Sequence, residues 1–281
     1  MTVRRSLERD ELERLYVAEG LTIDALAARF ACGATTIRRR LAECGIATRA
    51  RGPHHTTKTG FADRAWSPAL AYAVGLIVTD GNLSKDGRHL TLTSADRDLL
   101  ETFCACLGLA NRIAPQRGGA RAYYRVQWSD RALFDWLCGI GVTPAKSLCL
   151  GALAIPDACF ADFVRGCLDG DGTIQIYTDR SGVGKNPAYV YTRLSVRFTS
   201  VSFPFLEWIH ANLVRLLGVA GGVYAAKARA NRAPCWNLKF AQRDSLRLFA
   251  WMYYASDLPC LLRKRAQAEQ FTRSAAFTNL T

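Results

Sequence analysis

The chain has 281 residues, of which 49% are apolar and 22% charged, enough for two or three compact domains with cores of their own. The longest apolar run in the motif region, over 69–78, is about half what a bilayer crossing needs, and the first residues are charged rather than signal-like, so a cytoplasmic, nucleoid-associated protein is expected. A net charge of +13 points to a polyanionic partner, because Lys and Arg that neutralise phosphates release condensed counterions and so drive association.

That charge is uneven. Lys and Arg exceed Asp and Glu by 4 in residues 1–60, by 1 in 61–157 and by 8 in 158–281. The ten cysteines contain no CxxC pair, and His54, His55, His89 and His210 do not fall at zinc-ligand spacing beside them. Reduced, mostly buried thiols are the expectation.

Residues 1–47 form the first segment, a small all-α unit. Leu12 and Leu15 stand at helical spacing, Gly20 stops that helix, and Thr22 offers an N-cap for IDALAARF. After Ala31-Cys32-Gly33, ATTIRRRLAECG places Ile37 and Leu41 on one helix face and Thr35, Thr36, Arg38 and Arg39 on the others. Helix, short Gly-containing turn, helix resembles the helix-turn-helix DNA-binding modules, whose second helix enters the major groove. The resemblance implies that these threonines and arginines meet bases and phosphates. Residues 48–65 read as a basic tether: TRARGPHHTTKTG has Gly, Pro and basic residues but no apolar period.

Beyond the tether the chain repeats itself with a period of 91 residues, over 66–157 and 158–281. Each copy opens with an apolar helix ending in Asp-Gly, over 69–81 and then 162–172. Strands follow. In the second copy Ile174 and Ile176 alternate with Gln175 and Tyr177, Leu194, Val196 and Phe198 with Arg193, Ser195 and Arg197, and Trp236, Leu238 and Phe240 with Asn237 and Lys239. In the first copy KDG at 85–87 is a hairpin signal before HLTLTS, and GGA at 118–120 separates RIAPQR from RAYYRVQW. Helices are expected over 99–107, 131–138, 205–217 and 245–254. The fold class is therefore α+β, two pseudo-symmetric αββαββα repeats plus the N-terminal helical unit. The polar sheet faces, with Arg125 and Gln127 in copy one and the Gln, Tyr, Arg, Ser, Asn and Lys positions named above in copy two, suit contact with base edges and phosphates.

The two Asp-Gly helices carry the chemistry. Gly166 and Gly170 lie four apart on one helix face and would let a partner helix come very close; Gly75 and Thr79 hold the same offsets in copy one. Side-by-side packing then brings Asp80 and Asp171 to a common end of the pair. Two carboxylates at helix C-termini repel each other, and a hard divalent cation that keeps waters, such as Mg2+, would resolve the conflict.

AVGLIVTDG (73–81) and VRGCLDGDG (164–172) resemble the two motifs of single-chain LAGLIDADG homing endonucleases, over roughly 66–271. The resemblance implies a DNA-sized saddle and double-strand cleavage of a long asymmetric site, leaving 3′ overhangs, by a monomer belonging to a mobile genetic element. It implies metal ligation by Asp80 and Asp171, with the backbone carbonyls of Thr79 and Gly170 adding ligands, and Mg2+ or Mn2+ as cofactor, Ca2+ binding without supporting cleavage. A lysine late in each repeat, Lys146 and Lys264, is implied as a cation near the scissile phosphate; Arg263 and Arg265 leave the second one's register open by one residue. The earlier acid of the motif is Asp169 in copy two and Val78 in copy one, a departure at a position that is not the principal ligand. Two other classes share this core: a non-cleaving transcription regulator with a helix-turn-helix, and an RNA maturase. An intein is disfavoured, because the chain begins with Met and ends FTNLT.

Overall fold

The computed structural model describes residues 8–48, 65–118, 121–227 and 233–278. The chain divides into two compact units, Met1–Thr56 and Thr57–Thr281. Of the tether expected over 48–65, residues 49–64 lie outside the described residues, as do two residues of the GGA turn.

In the N-terminal unit α1 (Arg9–Glu13) continues through a π turn over Arg14–Ala18. Gly20 leaves it at φ 71°, a left-handed backbone that glycine adopts without penalty. The Thr22 hydroxyl accepts from the Ala25 N–H at 3.1 Å and starts α2 (Ile23–Arg29); α3 (Ala34–Glu43) follows a short turn. Leu12, Leu15, Leu26, Ile37 and Leu41 are wholly buried together, so the apolar positions expected from spacing are the core of this unit.

The larger unit has two halves. The first runs α4 (Pro68–Asp80), β1 (Gly81–Leu83), β2 (His89–Ser94), α5 (Arg97–Leu107), β3 (Ala114–Gly118), β4 (Arg121–Ser129) and α6 (Arg131–Gly139), then a 3-10 turn over Lys146–Leu148. The second runs α7 (Phe160–Asp169), β5 (Thr173–Asp179), β6 (Tyr191–Ser200), α8 (Phe203–Leu217), β7 (Gly222–Ala225), β8 (Trp236–Phe240), α9 (Gln242–Met252) and α10 (Leu262–Thr278). Each half holds one antiparallel four-stranded sheet, ordered β1-β2-β4-β3 and β5-β6-β8-β7. The expected αββαββα repeat is present twice, and α10 extends the second copy. Its sequence hides it: LRKRAQAEQF shows no clear apolar stripe, although Lys264, Ala268 and Phe271 are buried.

Period two along the strands becomes two faces. Leu90, Leu92, Val126 and Trp128 in one sheet, and Ile174, Leu194, Val196, Phe198, Leu238 and Phe240 in the other, turn onto the helices and are at most 5% exposed.

At the centre lies α4 against α7. Residues 70–78 of α4 are buried all round, as an apolar helix without a polar face must be. The pair can close only because of its glycines: a Cβ on Gly75 would stand 2.3 Å from the Phe163 carbonyl oxygen, and one on Gly166 2.2 Å from that of Tyr72. Buried polar groups lock the contact. The Tyr72 hydroxyl of α4 donates to Asp169 Oδ2 of α7 at 2.9 Å, and the Leu261 N–H donates to the same oxygen at 2.6 Å. Arg165, with no exposed surface, donates to Met252 O, Pro259 O and Asp162 Oδ1, at 2.6, 2.9 and 2.6 Å. Removing one partner of such a set strands a buried charge, so α7 is fastened to the chain leading into α10.

Candidate active site

The common end of the α4–α7 pair carries the acids. Asp80 is the last residue of α4, and Asp171 stands two residues beyond α7, past Gly170. A Cβ on Gly170 would lie 2.0 Å from Thr79 Oγ1 and 2.9 Å from Asp80 Oδ2, so the Asp80 carboxylate sits against the peptide next to Asp171. Burial, and then the negative charge of Asp171, push the Asp80 carboxyl up to about 7, while Lys264 and Lys146 pull the other way. Asp171 reaches the surface; its protein surroundings also raise it, and the same two lysines oppose the rise. The acids therefore share one electrostatic site, as the glycine spacing predicts.

Lys146 and Lys264 stand at matching places in the two halves. Lys146 Nζ donates to Gly81 O at 2.6 Å. Lys264 Nζ donates to the carbonyls of Leu168, Asp169, Gly170 and Gly172 at 2.6, 2.8, 3.2 and 2.8 Å. Both are buried; the Lys264 ammonium caps the last carbonyls of α7, where the helix dipole is negative, and Lys146 holds the carbonyl of the residue just after α4. The open register is closed: Arg263 turns to Asp96, with nitrogens at 3.0 and 2.7 Å from its oxygens, and Arg265 to Glu269 at 2.8 Å. Desolvation lowers both lysine pKa values.

Of the expected backbone ligands, Gly170 O already accepts from Lys264, and the Thr79 hydroxyl turns back onto Gly75 O and Leu76 O, each at 3.1 Å. Asp169 is turned into the helix interface, away from the acid pair's surface, with Oδ1 unpartnered, and burial raises its carboxyl to about 6. Among the described residues no group of three or more His, Cys, Asp and Glu gathers to hold a metal. Any ion here would rest on two carboxylates and backbone oxygens, with open positions for water. A depression of about 390 Å3 opens beside Asp171, lined also by Thr173, Arg263, Lys264 and Gln267. Of these, Arg263 figured in the sequence only as a neighbour that left the lysine's register open, and Gln267, three residues after Lys264 on α10, was missed.

The sheet faces hold the expected nucleic-acid contacts in unequal states. Arg125, Gln127, Gln175, Tyr177 and Lys239 are exposed, and Arg193, Ser195 and Arg197 half-buried. Arg193 is held by Asp179 at 3.4 Å and lies 4.9 Å from the Tyr191 ring centre. Asn237 is 9% exposed and accepts from the Thr199 hydroxyl at 2.9 Å, so its amide oxygen is already engaged. In the N-terminal unit Thr35, Arg38 and Arg39 are exposed and Thr36 half-buried; Arg39 lies 3.7 Å from Glu43.

Among solved structures, the chain is similar to the I-LtrWI LAGLIDADG homing endonuclease bound to target DNA, with a TM-score of 0.50 at 12% identity over 76% of this chain and 91% of that one. It also matches I-DmoI in complex with DNA and Ca (TM-score 0.46, 18% identity, 72% and 97% covered) and full-length DUF199/WhiA from Thermatoga maritima (0.45, 14%, 77% and 68%). No family model matches the sequence, and no curated protein does either. The likeness is one of fold: two four-stranded antiparallel sheets in an α+β arrangement, as in the double-motif LAGLIDADG structures.

Proposed function

We propose that this protein is a site-specific, metal-dependent DNA endonuclease that cuts both strands of a long asymmetric duplex and leaves 3′ overhangs. The observation that carries the reading is the acid pair: Asp80 and Asp171, 91 residues apart, meet at one end of a glycine-packed helix pair. The site fits a hard divalent cation such as Mg2+. Its donors are carboxylate and carbonyl oxygens, and burial together with Asp171 makes the ionised Asp80 costly without a counter-charge beyond the two lysines. Asp80 and Asp171 would hold the ion, with Gly170 O and Thr79 O beside them. When bound, it supplies Lewis-acid stabilisation of a phosphodiester and a more acidic water.

The rest is done by the chain. Lys146 and Lys264, fixed on the helix ends, keep positive charge next to the acids and so favour a dianionic phosphorane developing nearby. Water is the proposed nucleophile. The two sheet faces hold the duplex, and Thr35, Thr36, Arg38 and Arg39 of the N-terminal unit add a second DNA contact, a helix-turn-helix in function. Because one chain holds both halves, a monomer suffices.

Cleavage of a randomised duplex library with Mg2+ tests the reading. The wild-type protein should yield one long cut site, and Asp80→Asn and Asp171→Asn should each abolish double-strand cutting while still binding. Undiminished cutting by either variant would remove that acid from the mechanism. Tight duplex binding by a wild-type protein that never cuts would assign the chain to the non-cleaving regulators instead.

A further inference from the structure

The two sheets carry different chemistry at the same row. In the first, Gly81 pairs with Leu92 and the next residue, Asn82, pairs with Thr91, which pairs across with Gln127. In the second, Thr173, the residue after Gly172, pairs with Arg197, which pairs across with Lys239. Gly81 and Gly172 are one period apart, so Asn82–Thr91–Gln127 and Thr173–Arg197–Lys239 occupy one row of the pseudo-symmetric pair. Both triplets lie on the face turned from the helices, since their strand neighbours Leu90, Leu92, Val196 and Phe198 are buried.

The second-half row is dicationic and uncommitted. Arg193, further along β6, is matched by Asp179, whereas neither Arg197 nor Lys239 makes an ion pair among the described residues. The Arg197 Nε is shielded from solvent and has no hydrogen-bond partner, an arrangement that costs free energy unless a ligand supplies an acceptor. The first-half row is neutral: an exposed amide at Gln127, another at Asn82, and a hydroxyl. Donor-only forks and ammonium groups suit the paired O6 and N7 acceptors of guanine, whereas an amide, which both donates and accepts, suits the N6 and N7 of adenine.

We infer that the two halves read unlike bases at symmetry-related positions of the target: guanine where the second sheet presents Arg197 and Lys239, adenine where the first presents Asn82 and Gln127. The inference rests on the duplex-binding reading above and names the specificity of those faces. Bound duplexes would be recovered from a randomised pool with the full-length protein in chelator, so that binding is scored without cutting. The wild-type protein should select a site with guanine on one side of its centre and adenine at the mirrored position. Arg197→Thr/Lys239→Gln, which imports the first-half residues, should turn that guanine into adenine and leave the other half-site alone. Thr91→Arg/Gln127→Lys should do the reverse, and each switch should change the preference between the two duplexes by about ten-fold or more.

Because each variant carries residues its own counterpart row tolerates, either one decides the matter if the other misfolds. Variants that keep the wild-type site but bind every duplex more weakly with a shallower salt dependence (Arg197→Thr/Lys239→Gln), or more tightly with a steeper one (Thr91→Arg/Gln127→Lys), would make these cations phosphate contacts and overturn the inference. A wild-type protein that retains no duplex would instead overturn the underlying DNA reading.

Discussion

Gly75→Ala is the sharpest perturbation of this architecture. The new Cβ would lie 2.3 Å from Phe163 O, 2.8 Å from Cys167 N and 2.9 Å from the Gly166 Cα, where ordinary contact begins near 3.4 Å. All three obstacles are backbone, so no side chain can swing aside, and α4 and α7 must part by about 1 Å in a region packed at crystal density. Overpacking of this kind costs about 1–3 kcal/mol, and the absence of a soft neighbour puts the expectation at the upper end. For a unit of this size that lowers the melting temperature by roughly 5–10 °C. Function should suffer more than stability, because the same separation moves Asp80 from Asp171, and about 1 Å of misplacement at a reacting centre costs on the order of 100-fold in rate. Gly166→Ala should behave alike, and the double variant should cost less than the two singles together, since one parting of the helices accommodates both methyl groups. Thermal unfolding and Mg2+-dependent cleavage, measured on the same preparations, check this. A Gly75→Ala protein melting within about 1 °C of the wild type would refute the close approach and the placement of the acids that follows from it.

Three further outcomes are expected. In chelator the folded protein holds on Asp80 a proton that the unfolded chain releases near pH 4 and the folded one only near 7. Stability should therefore fall as pH rises through that window, by up to about 1.4 kcal/mol per pH unit for this group, and Asp80→Asn should flatten that part of the slope; denaturation midpoints at pH 5 and 8 that are equal for the wild type would contradict it. Gly170→Ala should damage Mg2+-dependent cleavage far more than melting, since its Cβ would strike the Thr79 side chain at 2.0 Å and crowd Asp80 Oδ2 at 2.9 Å; intact cleavage rates would count against that carboxylate. Lys264→Met should destabilise the fold more than Lys146→Met, because four carbonyls lose their donor in the first and one in the second. Unfolding free energies from urea titration should differ by about 1–3 kcal/mol between them, and equal losses would show that bonding these carbonyls is not what the lysines do for stability.

Much of this was legible in the sequence because it depends on local pattern. Alternation along 194–198 fixes which side chains enter the core, whereas along 236–240 it misplaces Trp236, which is half-buried, and Asn237, which is buried; the 91-residue period announces two like halves. The small residues at 75 and 166 foretell a close helix pair, since only glycine lets two backbones touch. The acids at 80 and 171 follow as a pair from that contact alone. Tertiary structure decided the rest. Whether Lys264 or one of its arginine neighbours turns inward depends on which finds carbonyls and which finds Asp96 or Glu269; Arg263 meets Asp96 167 residues away in the other half, and Lys264 meets carbonyls 92 to 96 residues away. Asp169 could pass for a third site acid until Tyr72 and Leu261 claim it, and Asn237 for a base reader until Thr199 engages its oxygen. Periodicity is set by bonds along the chain, whereas the partner of a buried charge is set by what the fold brings up against it, and that is absent from any single stretch of sequence.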